Sequence, residues 1–212
     1  MDADFWHRRW EENEIGFHES QANKLLVNYF HTLSLSKGSR VFVPLCGKTL
    51  DIAWLLSNGF RVVGVELSER AIEQLFAELD VTPDITDLGH LKCYSTQDIE
   101  IYVGDIFELS RQQLGPVDAI YDRAALVALP QDMRSRYTAH LREITNTSPQ
   151  LLICFEYDQN LMDGPPFSIG PDKVSSQYQD SYVLTHLERV DVAGGLKGKC
   201  KAYEHVWRLD NA

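Results

Sequence analysis

Apolar positions along the chain fall into two rhythms that take turns. Short continuous apolar runs, the mark of strands buried on both faces, occur at "VFVPL" (41–45), "RVVGVEL" (61–67), "IEIYVGD" (99–105), "VDAIYD" (117–122) and "LLICFEYD" (151–158). Between several of them the period lengthens to that of a helix. In "SERAIEQLFAEL" (68–79) Ser68 can cap the start, and Ile72, Leu75, Phe76 and Leu79 share one face. Pro130 suits the first turn of a helix over "PQDMRSRYTAHLREI" (130–144). Strands alternating with helices predict βαβ units, hence a mostly parallel sheet with helices on both faces. The end of the chain breaks the alternation. "SYVLTHLERVDV" (181–192) and "KAYEHVWRL" (201–209) are joined by "AGGLKGKC", which is too short for a crossover helix and carries hairpin glycines. The pattern therefore predicts an α/β fold with seven strands, the last two an antiparallel hairpin. No repeat, low-complexity tract or linker divides it, so one domain over 1–212 is expected, with an N-terminal stretch (1–36) ahead of the core (37–212).

Composition narrows the function classes. Of 212 residues, 44% are hydrophobic and 24% charged, which suits a soluble folded core. Twenty basic against 31 acidic residues leave a net charge of −11, so the surrounding field repels phosphate backbones and anionic membranes. No nucleic-acid or membrane partner is expected. The opening "MDADFWHRRW" lacks the basic-then-apolar pattern of a secretory leader, and no run reaches the roughly 18 apolar residues of a membrane span, so a cytoplasmic location is expected. Cys46, Cys93, Cys154 and Cys200 lie far apart with no CxxC pair, and the histidines show no HxxxH spacing. Reduced thiols and no metal site follow.

The turn after the first strand holds "GKT" (47–49), which resembles the end of a phosphate-binding loop. Such a loop needs a glycine five residues before the Gly-Lys pair, and that position is Phe42, inside the strand. A dinucleotide fingerprint fails as well, since "PLCGK" has one glycine where three are needed. Lys48 then reads as a solvated turn residue or a contact at the helix start.

Polar residues collect at the carboxyl ends of the strands, the edge where open α/β sheets bind ligands. Glu66 ends the second strand 19 residues after Gly47, where a carboxylate can accept from both hydroxyls of a ribose; the competing reading is a helix N-terminal acid ahead of Ser68. Asp105 and Ile106 follow the third strand. That carboxylate either accepts from an adenine amino group, with Ile106 over the ring, or is an ordinary turn acid. Asp122 and Arg123 end the fourth strand beside the apolar "AALVAL". A guanidinium there is unfavourable to bury unless it faces a ligand or pairs with Asp122.

Five parallel strands closed by a hairpin resemble the layout of the class I S-adenosylmethionine-dependent methyltransferases. The segments "VPLCGKTLDIAWL", "VVGVELSERAI", "GDIF", "YDRAALVALP", "EYDQNLMDGPPF" and "FWHRRWEENEIGFHE" go further. Together they resemble the thiopurine S-methyltransferase family, notably its bacterial form, from about Phe5 to Leu209. The resemblance implies methyl transfer from S-adenosylmethionine, with S-adenosylhomocysteine as product, to aromatic and heterocyclic thiols. For some bacterial members it extends to selenium or tellurium compounds and tellurite resistance. It implies an N-terminal cover in which Trp6, Trp10 and Phe17 lie over the cofactor and Phe17 also faces the acceptor. Leu45 would lie on the glycine-loop side, Glu66 on the ribose, Asp105 and Ile106 at the adenine, and Arg123 between cofactor and acceptor as the catalytic residue. By spacing alone, Trp6 and Trp10 are an i, i+4 pair packed on the core.

"GPPF" (164–167) follows the fifth strand and begins with glycine, so it cannot supply the acceptor that base-methylating enzymes place after their fourth strand; Phe167 can supply an aromatic wall. In place of a second acceptor-side arginine near the last hairpin, "GGLKGKCK" offers lysines only. The polar segment 81–98 is expected to be a surface insertion near the acceptor mouth. The implied protein is a monomer acting on a small-molecule thiol or chalcogen acceptor. The alternatives are a small-molecule N- or O-methyltransferase and a non-catalytic adenosine-ligand sensor.

Overall fold

The computed structural model describes residues 3–15 and 18–212. Its strands are β1 (Arg40–Pro44), β2 (Arg61–Glu66), β3 (Asp84–Asp87), β4 (Lys92–Ser95), β5 (Ile99–Val103), β6 (Ala119–Arg123), β7 (Gln150–Tyr157), β8 (Tyr182–Asp191) and β9 (Ala202–Asn211). The helices are α1 (Ala3–Glu11), α2 (Lys24–Tyr29), α3 (Leu50–Ser57), α4 (Glu69–Glu78), α5 (Arg111–Leu114), α6 (Gln131–Thr145) and α7 (Pro171–Tyr178). Side chains cap several of them as their sequences lead one to expect. Ser68 Oγ accepts from the Ala71 N–H at 3.3 Å at the start of α4, and Thr49 Oγ1 from the Asp51 N–H at 3.3 Å at the start of α3. Pro130 stands just before α6 rather than inside its first turn.

The strands form one sheet in the order β3-β4-β5-β2-β1-β6-β7-β9-β8. The middle five, β5-β2-β1-β6-β7, are mutually parallel, and β7–β9 and β8–β9 are antiparallel, as the chain-end pattern predicts. From β1 the chain steps outward through β2 to β5, then returns across the sheet to β6 and β7. The direction of winding therefore reverses between β1 and β6, where the connections leave toward opposite sides and open a crevice at the strands' carboxyl ends.

Strand alternation splits the core into two layers. Phe42, Val63, Ile120 and Leu152 face α5, α6 and α7, packing with Leu114, Leu141 and Val174. Val41, Val62, Tyr121 and Ile153 face the other way, among Leu26, Ile52, Leu55, Ile72 and Leu75. Each such aliphatic side chain, fully withdrawn from water, contributes about 1.5–3 kcal/mol.

Two expectations are corrected. The sheet has nine strands among the described residues rather than seven, because the polar segment 81–98 contains β3 and β4, an antiparallel hairpin added beside β5. It sits at the edge of the sheet and not at the mouth of the crevice. All four residues of β3 are exposed, so they leave no apolar signature; only Tyr94 in β4, with nearby Leu91, is buried. Lys48 is also no solvated turn residue, since its Nζ donates to Glu78 Oε1 at 2.6 Å and only 12% of its side chain is exposed.

Candidate active site

The crevice between β1 and β6 opens into a cavity of about 360 Å³, within the usual small-molecule range of about 300–1,000 Å³. Its floor comes from three strand ends. After β1 the chain turns through Leu45 and Gly47, with φ of 46° and 51°, into α3. Glycine suits position 47, because it takes the positive φ without strain and a Cβ there would stand 3.0 Å from the Trp10 ring, which would have to shift. β6 ends in Arg123, followed by Ala124 at φ 66°. Leu45 and Ala124 are non-glycine residues held in the left-handed region, and both border the cavity.

Glu66, the last residue of β2, is buried and lines the cavity. Its Oε2 accepts the Gly47 N–H at 2.8 Å and its Oε1 the Ser68 N–H at 2.9 Å. Burial pushes the carboxyl pKa up, against the pull of the Ser68, Gly47 and Leu67 N–H donors. Two of the roughly four lone-pair positions of a carboxylate are thus engaged, leaving capacity for a pair of hydroxyls from the cavity side.

The roof is α1. Trp10, 4% exposed, and the half-buried Trp6 both border the cavity. The far wall is Phe155 of β7 with Pro165 and Pro166, and Lys197 of the β8–β9 loop completes it. Lys197 Nζ donates to the Pro165 carbonyl at 2.8 Å; burial lowers its pKa, and the cations of Arg9 and Lys199 lower it further.

The structure therefore brings Trp6, Trp10, Leu45, Glu66 and Arg123 to one cavity and leaves three anticipated residues outside its walls. Asp105 is exposed and accepts the Phe107 N–H at 3.0 Å, while Ile106 is buried in the core beneath. Phe167 turns away: its ring packs on the core and lies 5.7 Å from the Arg134 guanidinium, so the two prolines occupy the wall position expected of it. Phe17 lies outside the described residues. Arg123 does not pair with Asp122, because neighbours on a strand point to opposite faces. Asp122 instead accepts from the Leu126 N–H at 3.1 Å and the Tyr137 hydroxyl at 2.8 Å, on the α6 side.

Several cavity residues carry no sequence signal of their own. Glu19 forms an ion pair with Arg123. Asp51, 1% exposed, accepts from the Tyr121 hydroxyl at 2.9 Å. The His18 pKa is lowered, first by burial and then by the Lys48 cation. Strand parity alone places Tyr121 beside Arg123 on one face. Nothing local points to Glu19 or Asp51.

A family model described as Thiopurine S-methyltransferase (TPMT) matches residues 1–210. A relative named thiopurine S-methyltransferase from Xanthobacter autotrophicus is 56% identical over 213 residues, covering 100% of both chains. Another of that name from Teredinibacter turnerae is 54% identical over 209 residues, covering 99% of this chain and 97% of its own. Among solved structures, the 1,6-didemethyltoxoflavin-N1-methyltransferase of Burkholderia thailandensis, with bound S-adenosylhomocysteine, matches with a TM-score of 0.66 at 15% identity, covering 99% of this chain and 87% of that one. A methyltransferase from Anabaena variabilis matches with a TM-score of 0.62 at 14% identity, covering 98% of this chain and 94% of that one. These two show the fold, which is that of the S-adenosylmethionine-dependent methyltransferases.

Proposed function

The chain belongs to the thiopurine S-methyltransferase family, and from that premise we propose that it methylates the sulfur of aromatic and heterocyclic thiols, and the selenium or tellurium of analogous compounds. As a member of that family it is an S-adenosylmethionine-dependent methyltransferase. The observation that carries the acceptor reading is that one cavity holds a buried acid, Glu66, on one side and a guanidinium, Arg123, on the other, under two tryptophans.

The residues present fit the nucleoside. Glu66 keeps free acceptor positions facing the cavity, Leu45 and Val43 give an apolar wall, and the indoles of Trp6 and Trp10 border the cavity, where a cationic sulfur gains from nearby aromatic rings. When bound, S-adenosylmethionine supplies a methyl group on a sulfonium, which an acceptor thiolate takes in one displacement, leaving a neutral thioether. Glu66 holds the sugar. For Asp105 and Ile106 to serve the adenine end, the nucleoside extends past the cavity walls to their loop, which starts beside the clamp with the Gly104 N–H to Glu66 carbonyl bond of 2.9 Å. The N-terminal segment acts as a cover, with Trp6 and Trp10 of α1 over the cavity.

Arg123 favours the ionised acceptor. An ordinary thiol titrates near about 8.5, and a neighbouring cation stabilises the thiolate without any strong base. Since the leaving group is neutral, the protein's main task is to align and desolvate two sulfurs, which can lower a barrier by about 7–11 kcal/mol. A cytoplasmic site of action and a monomer complete the reading. Unbridged cysteines support the first.

The test is labelled S-adenosylmethionine with matched thiol, amine and phenol acceptors, on which product should form fastest on the thiol. Replacing Arg123 by Met should reduce thiol turnover about ten- to a hundredfold, the equivalent of one charge-assisted hydrogen bond, with little change in melting temperature. Full activity in that variant would remove Arg123 from the chemistry.

A further inference from the structure

The Arg123 guanidinium, in the cavity wall, is already engaged: its Nη2 donates to Oε1 of Glu19. The contact belongs to a polar network that ties the N-terminal segment to the sheet. Glu19 Oε2 accepts from the Asn23 side chain at 3.4 Å. The Asn23 N–H donates to Asp51 Oδ1 at 2.7 Å, and Asp51 Oδ2 accepts from the Tyr121 hydroxyl at 2.9 Å. Tyr121 and Arg123 are alternate residues of β6 and share a face. One strand face therefore grips both ends of residues 19–23.

The partners of the ion pair are unequally placed. The Arg123 side chain is 11% exposed and that of Glu19 44%, so the guanidinium is fixed in the wall while the carboxylate sits at the rim. Glu19 is the partner able to leave. Stranding a largely buried guanidinium is ordinarily unfavourable, but a second carboxylate lies within its electrostatic reach. Glu204 of β9 is cross-strand partner to the cavity residue Phe155, on the same sheet face, and it interacts with both Arg123 and Glu19. An anionic acceptor itself supplies the counter-charge when Glu19 withdraws.

We infer that Glu19 is a specificity gate for the acceptor: its carboxylate occupies the acceptor-side guanidinium, and an acceptor takes that place only by presenting an anionic sulfur or selenium of its own. This rests on the placement of Arg123 at the acceptor given above, and it names the acceptor class. Heteroaryl thiols ionised at working pH displace a carboxylate from an arginine; neutral amines and phenols of the same shape do not. Discrimination comes from the competing internal anion as much as from attraction.

The test titrates protein saturated with S-adenosylhomocysteine, in which no transfer occurs, with para-nitrothiophenolate and with its neutral S-methyl ether, by calorimetry. Glu19→Gln should bind the thiolate about two- to fivefold more tightly than the wild-type protein, as expected for loss of one partly exposed competing charge. Its affinity for the ether should stay unchanged, and amide exchange over residues 18–23 should quicken. Equal thiolate affinity in the two proteins, or an equal gain for thiolate and ether, overturns the gate. Arg123→Met separates the two claims. A loss of thiolate affinity there with no gain in Glu19→Gln sinks the gate alone, whereas unchanged affinity in Arg123→Met removes the arginine from the acceptor and the gate with it.

Discussion

At Glu66 two opposing effects meet on one carboxyl group. Burial favours the neutral acid, and the N–H groups of Gly47 and Ser68 favour the anion that a sugar diol would also bind. Replacing Glu66 by Gln keeps the shape and one acceptor but removes the charge. S-adenosylhomocysteine should then bind about ten- to a hundredfold more weakly by calorimetry, corresponding to about 1.5–3 kcal/mol for hydrogen bonds to a charged group; unchanged affinity would mean the sugar lies elsewhere. Glu66 and Arg123 were legible as residues because each ends an apolar run, and an ionisable side chain at the end of a buried strand has few places to point. The partners of Arg123 were not legible. Sequence adjacency suggested Asp122, yet strand alternation sends Asp122 to the α6 face and leaves Arg123 with Glu19.

β6 shows how one element divides its work between two faces. Toward the cavity it presents Tyr121 and Arg123, and toward α6 it presents Asp122, whose carboxyl is raised from 3.8 to about 6 by burial. A proton is therefore held more tightly in the folded protein than in the unfolded chain. The stabilisation is complete below the unfolded value and is lost as pH rises through the folded one. Asp122→Asn should flatten the fall in stability between about pH 4 and about pH 6, by up to about 3 kcal/mol. Urea midpoints measured across that range in both proteins check it, and parallel curves would refute the assignment. Elsewhere, legibility tracked burial. The continuous apolar runs placed the central strands within a residue or two, whereas the exposed β3 gave no period to read. The terminal hairpin was readable from its glycine loop, but that β9 rather than β8 pairs with β7 was not.

For the whole molecule the decisive feature is the reversal of winding between β1 and β6, which opens a crevice that α1 then roofs. A ligand seated between sheet and roof binds only the assembled structure. At a hundred times its dissociation constant, S-adenosylhomocysteine should add about 2.7 kcal/mol of stability. For a chain of 212 residues that is a rise of about 5–10 °C in melting temperature, measurable by calorimetric scanning, and Glu66→Gln at the same concentration should show less. The sequence by itself determined the succession of strands and helices, the parallel core, the hairpin close and the identity of the rim residues Glu66 and Arg123. These follow from apolar periodicity and strand ends, which are local and written in neighbouring positions. Only the tertiary structure decided the strand order, the edge hairpin, the turning of Phe167 away from the cavity and the pairing of Glu19 with Arg123. Those partners stand 104 positions apart, and a contact between distant polar residues leaves no periodic trace in the chain that makes it.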